Sequence, residues 1–160
     1  MDQQADEQLA DLIRGQRWGC LATIADDKPY ASFVAYVPES DFSAFLIHVS
    51  RLAPHTQNLL ANPQSVLAIS AQDLGGGDPQ TLKRVSIQGR VQEIRRDSHE
   101  YPRARSLYLQ SLPTAAQLFT FSDFILFRLV PDQVRFVAGF ARTWDITPEQ
   151  LKAIALSQPA

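Results

Sequence analysis

Only one cysteine, Cys20, occurs in the 160 residues, so no internal disulfide can form. That arithmetic fits a reducing, cytoplasmic setting. Cys20 lies in the apolar run WGCLATI with no histidine or lysine beside it, and it reads as a small core residue, not an activated thiol. Histidine is scarce too. His48, His55 and His99 lack the close pairing of a zinc motif, so no metal site is expected. No run of apolar residues approaches the length of a membrane span. The opening residues, MDQQADEQ, have neither the basic start nor the apolar stretch of a signal peptide. Basic excess is also missing. The formal net charge is -2 and the pI about 5.9, which argues against sequence-independent nucleic-acid binding. The sequence contains no GxSxG and no Walker loop. Its one glycine run, Gly75-Gly76-Gly77, is followed by Asp78-Pro79 and no helix start, so it reads as a loop, not a dinucleotide fingerprint.

What is present is ordinary globular material. The chain is 45% hydrophobic and 20% charged, enough to bury the core of a single domain over residues 1–160. Leu9, Leu12 and Ile13 mark an amphipathic helix over residues 5–16. Residues 17–25 and 30–37 read as strands, with Asp26-Asp27-Lys28-Pro29 as the hairpin turn between them. A third strand covers residues 44–50. Pro54 then opens a short helix that Asn62-Pro63 stops. Strands follow at 65–71 and 82–95, the second with Gly89 at its middle as a bulge or close-approach signal.

Residues 97–118 look helical, with Asp97 and Glu100 as a capping box and Pro102 and Pro113 as interruptions. Two more strands, 124–130 and 133–141, are read as joined by a tight turn at Pro131-Asp132. The last helix has Thr147 as cap, Pro148 at its first position and Gln150 completing a capping box. About seven strands without βαβ alternation favour a small antiparallel barrel with peripheral helices. Strands such as LATIA and SFVAYV are apolar on both faces, which suits burial between a barrel interior and a second copy of the chain.

Chemistry concentrates in one segment. Residues 50–58 bring together Ser50, Arg51, His55, Thr56 and Asn58 at a strand end and a helix start. An arginine fork, hydroxyls and free helical N–H groups suit an anion there, and a solvated loop is the alternative. Lys83-Arg84 forms a second basic pair. Arg142 and Trp144 offer a cation and a flat aromatic, either to stack on a ring system or to anchor the last helix.

These segments resemble, in order, the FMN-binding split-barrel superfamily typified by pyridoxamine 5'-phosphate oxidase, nearest its haem-utilisation branch. The matching pieces are WGCLATIADDKPYASFVAYV, SRLAPHTQNLLANP, GDPQTLKRVSIQGRVQEI and FSDFILFRLVPDQVRFVAGFART, covering roughly residues 16–144. The resemblance implies a mainly β fold, a six-stranded antiparallel split β-barrel that dimerises and holds two cofactors at the homodimer interface. It implies an FMN-binding flavoprotein, an oxidoreductase acting with a small-molecule substrate or electron donor, with a haem-binding or haem-degrading protein as the alternative. Ser32, on the strand mapped to the flavin, joins Ser50, Arg51, His55, Thr56 and Asn58 as implied cofactor contacts. Arg84, Ser86 and Trp144 would approach from other strands and from the C-terminal segment.

Two departures stand out. The oxidases' substrate-binding residues near the C-terminus have no counterpart. Nor does any histidine follow His99, where haem-degrading relatives carry an iron ligand on a C-terminal extension. Asp123, in FSDF, resembles an acidic residue those relatives use near haem, and equally reads as a turn residue at a strand start.

Overall fold

The computed structural model describes residues 1–158. An N-terminal helix α1 (Gln3–Gly15) buries Ala5, Leu9, Leu12 and Ile13, the stripe its spacing dictates, and Asp2 caps it by accepting from the Ala5 N–H at 2.8 Å. Strands β1 (Trp18–Ala25) and β2 (Lys28–Ala35) form a hairpin. Asp26 and Asp27 both take positive φ, 48° and 58°, as a two-residue hairpin turn requires. Next come β3 (Val37–Pro38), β4 (Phe45–Ser50), helix α2 (Pro54–Ala61), β5 (Gln64–Ser70) and β6 (Arg84–Ile94). Helix α3 (Tyr101–Ser111) and a 3₁₀ segment (Pro113–Thr120) lead into β7 (Phe124–Val137), β8 (Thr143–Ile146) and helix α4 (Pro148–Ser157).

The eight strands form one antiparallel sheet in the order β2-β1-β5-β6-β7-β4-β3, with β8 added to β7. The two ends of that path are neighbours in sequence, because only Tyr36 separates β2 from β3. The chain itself therefore draws the two sheet edges together, and the sheet curls round its core as a split barrel. Tyr36 sits at that seam. Its ring is buried in the main core and its hydroxyl donates to the Ile13 carbonyl at 2.8 Å. Burial without a charged partner raises its pKa far above the ordinary phenol value.

Fold class and single-sheet architecture agree with the sequence reading, but the strand count is eight, not six. The two extra strands are the short pieces β3 and β8, which lack the apolar length that marks a strand in sequence. The expected turn at Pro131-Asp132 is not a turn. β7 runs straight through it for 14 residues, and the register against β6 slips between Gln88 and Gly89, leaving Asp132 as the bulged residue. Proline, which lacks an N–H, is tolerated at such a bulge. On its other side β7 pairs with β4 before the bulge and with β8 after it, so one strand serves two neighbours. The proposed capping box at Asp97 is also absent. Asp97 instead takes the Arg95 guanidinium at 3.0 Å, and α3 starts at Tyr101 with Pro102 in its first turn.

The main core lies inside the curl, built from α1, Tyr36, Phe45, Leu67, Phe127 and Phe136 together with α4. A second, smaller core lies on the outer side of β4 and β7, where α3 and the 3₁₀ segment cover Leu46 and Leu126. β4 is consequently buried on both faces by its own chain. The outward faces of β1 and β2 are not covered. Thr147 caps α4 as its sequence promises, with both arms of the capping box formed at 2.9 and 3.3 Å. Thr147→Ala should cost about 1 kcal/mol, visible as a melting point lower by about 3 °C. An unchanged melt would mean that the helix holds through its buried Leu151 and Ile154 alone. Among the described residues, no helix is long and apolar enough to cross a membrane.

Candidate functional site

Ser50 ends β4 opposite Phe124, the first residue of β7, and this register sets the corner beside it. The Ser50 hydroxyl donates to the Asp123 carboxylate at 2.5 Å and accepts from the Leu52 N–H at 3.1 Å. The Arg51 N–H donates to the Asp123 carbonyl at 2.6 Å, and the Arg51 guanidinium reaches Glu93 at 3.3 Å. Helix α2 opens with Pro54, which has no N–H, and both Thr56 and Gln57 donate their N–H groups to the Ala53 carbonyl. Of the groups the sequence reading aimed at one anion, most are thus already engaged. Asp123 and Glu93 engage Ser50 and Arg51 there, and Arg95, Arg96 and Asp97 line the same pocket.

His55 and Ser32 do meet, with Nδ1 of the ring 3.1 Å from the serine hydroxyl. Burial lowers the His55 pKa, favouring the neutral ring. Its Nε2 and the Thr56 hydroxyl are buried without partners. Asn58 turns to β1, donating to the Thr23 hydroxyl at 3.0 Å. Ser32, Ser50, Arg51, His55, Thr56 and Asn58 therefore occupy one end of the sheet, around α2 and the start of β7.

Arg84, Ser86 and Trp144 lie elsewhere. Arg84 and Ser86 are exposed on the outward face of β6, and Arg84 donates to the carbonyls of Gln80 and Leu82 at 2.9 and 3.1 Å. Trp144, on β8, stacks on Phe136 with centroids 5.9 Å apart, while Arg142 lies over its ring at 5.4 Å and pairs with Asp2. This contact set is that of an anchor for the C-terminal segment.

The outward faces of β1, β2, β5 and β6 make a second site. The pairing puts Phe33 opposite Cys20, Cys20 opposite Ala68, Ala68 opposite Ser86 and Ser86 opposite Arg135 in one row across the sheet. Trp18 and Phe33 stack at 5.8 Å with planes only 12° apart, yet are 56% and 60% exposed. With Cys20, Ala68, Arg84 and Arg135 they line an open cleft of about 620 Å³. Its floor is apolar and its far side carries two guanidiniums, of which Arg135 pairs with Asp145 at 2.8 Å. Sequence reasoning reached Arg84 and Ser86 here but not Phe33, Cys20 or Arg135. The signal was present in the strict alternation of β1 and β2, whose even positions at Trp18, Cys20 and Ala22 and odd positions at Ala31 and Phe33 share one face.

Comparison with known proteins identifies the family. The chain is 31% identical over 138 residues to the chloroplastic non-canonical heme oxygenase HOZ of Arabidopsis thaliana, covering 84% of this chain and 40% of that protein. It is 26% identical over 140 residues to heme oxygenase HutZ of Vibrio cholerae, covering 82% of this chain and 74% of that protein. A heme binding protein from Mycobacterium smegmatis superposes with a TM-score of 0.82 at 31% identity, over 93% of this chain and 60% of that one. The chain thus spans less than two thirds of the Arabidopsis and mycobacterial relatives. A model of the pyridoxamine 5'-phosphate oxidase family matches residues 5–138, and with the curled antiparallel sheet this shows that the chain belongs to that family.

Proposed function

We propose that the chain binds haem, and that it does so in the cleft on the outward sheet face, closed by a second copy of itself. The observation that carries the reading is the cleft's composition. A stacked Trp18–Phe33 pair and the apolar strip of Cys20 and Ala68 suit a flat hydrophobic ring, and Arg84 and Arg135 beyond them suit carboxylates on its edge. The three relatives named above, all described as heme proteins, point the same way. The fit is to ring and carboxylates, since none of the three histidines lines the cleft. Bound there, haem would supply the redox and dioxygen chemistry, while the protein excludes water and orients the ring.

The FMN reading rested on Ser50 and Arg51 as a phosphate cradle. Asp123 accepts from Ser50 and Glu93 pairs with Arg51, so a dianionic phosphate there would compete with both carboxylates.

Titration of haemin and of FMN into the purified full chain tests the choice. Haemin should give a saturable Soret band, and FMN should leave the flavin spectrum of free cofactor. Arg84→Ala should weaken haemin about tenfold, because a charge-assisted hydrogen bond contributes roughly 1.5–3 kcal/mol and each 1.4 kcal/mol is tenfold. Saturable FMN binding without saturable haemin binding would overturn the reading and restore the flavoprotein.

A further inference from the structure

His48 lies on β4, facing away from the main core and into the second one. It is 7% exposed, and neither ring nitrogen has a hydrogen-bond partner. Phe119 of the 3₁₀ segment stacks on the ring with centroids 3.7 Å apart and planes 8° apart. Tyr108 of α3 meets it edge-on at 5.8 Å, and Phe124 of β7 tilts against it at 5.1 Å. An imidazole held this way is serving as an apolar ring, which is tolerable only while it is neutral.

The charged groups around it are unfavourable to a proton. From the segment after β6, Arg96 donates to the Phe119, Phe121 and Phe124 carbonyls and so pins the 3₁₀ segment over the ring. From α3, Arg105 lies over Phe119 at 5.5 Å. Tyr108 is the other titratable group, and burial pushes it up to about 12. The carboxylate that follows the 3₁₀ segment, Asp123, is held by Ser50. Burial and the Arg96 charge together lower His48 to about 4 from an ordinary value near 6.5.

We infer that His48 is an acid-sensitive latch for the cap formed by α3 and the 3₁₀ segment, closed when the ring is neutral and released when it takes a proton. A protonated ring has no acceptor in its pocket and a guanidinium nearby, so it leaves for water and the cap lifts from Leu46 and Leu126. Because Asp123 follows Thr120 by three residues, lifting the segment also frees the carboxylate that holds Ser50 and the backbone that holds Arg51. Acid thereby loosens the corner at the start of α2 as well as the cap. The inference stands apart from the haem reading, since it needs no ligand.

The sign follows from linkage. The open cap binds the proton more readily than the closed one, so closure is at full strength above about pH 6.5 and weakens as the pH falls towards 4. Amide hydrogen exchange of the full-length protein, corrected for the intrinsic pH dependence, reads this directly. Opening of residues 104–120 should rise roughly tenfold for each pH unit lost between about 6 and 4.5, while amides of β5 and β6 stay protected. In His48→Leu, which keeps an apolar side chain in the pocket, the cap profile should be flat over the same range. A flat wild-type profile would overturn the inference, and that arm decides the matter even if the variant does not fold. So would an unchanged slope in His48→Leu, or opening of β5 and β6 together with the cap.

Discussion

Gly89→Ala is expected to lower stability by at least about 3 kcal/mol, through overpacking that no side chain can relieve. A Cβ at position 89 would lie 2.0 Å from the Val130 carbonyl oxygen, 2.9 Å from its carbon and 3.1 Å from the Pro131 Cα. All three are backbone atoms, so none can turn aside. They stand so close because the β7 bulge at Asp132 folds Val130 and Pro131 toward β6 at this point. Relief requires β6 and β7 to separate or to lose register, and these two strands share the longest ladder in the sheet, from Arg84–Val137 to Ile94–Leu126. In a chain of this size the loss corresponds to a melting point lower by roughly 6–12 °C. A thermal melt measures it, and a shift of less than 2 °C would mean that the strands do not approach as closely as described.

Phe33→Glu is expected to turn the proposed dimer into a monomer without harming the fold. Phe33 is 60% exposed in the single chain, so the substitution removes little packing within it. In a two-fold pairing of the outward sheet face, however, the same side chain enters twice. An aromatic buried on such a face contributes roughly 2 kcal/mol or more, and the double count gives about 4 kcal/mol, close to a thousandfold in the dimer's dissociation constant. Sedimentation at micromolar concentration should show a wild-type dimer and a Phe33→Glu monomer with the same far-ultraviolet circular dichroism. Haemin binding should fall with the dimer if the ligand lies at the seam. A wild-type monomer, or a dimer that survives Phe33→Glu, would remove the second copy from the proposed site.

The two candidate sites were not equally legible. The corner was found because its residues are contiguous: Ser50, Arg51, His55, Thr56 and Asn58 fall within nine positions. What contiguity could not reveal is that Asp123, just before β7, and Glu93, on β6, come from far along the chain and engage Ser50 and Arg51. The outward cleft was largely missed for the converse reason. Phe33, Ala68, Ser86 and Arg135 belong to four strands, and only the cross-strand register puts them in one row. Trp144 was ambiguous in sequence because a stacking platform and a helix anchor ask for the same residue. Its contacts with Phe136 and Arg142 suit the anchor.

By itself, the sequence determined whatever depends on neighbours along the chain. The amphipathic stripe of α1, the Asp26-Asp27 turn, the Pro54 opening of α2, the glycine at the strand crossing and the Thr147 capping box are all local physics, and all appear where the residues demand them. Tertiary structure alone decided how these elements share faces. It carried β7 through Pro131 because two neighbours and a bulge compensate for the missing N–H. It buried the second face of β4 beneath α3 and the 3₁₀ segment, and so enclosed His48, while leaving the matching apolar face of β1 and β2 open. An apolar face records only that something must cover it. Whether the cover is the chain's own helix or a second copy depends on connections dozens of residues long, which periodicity does not encode.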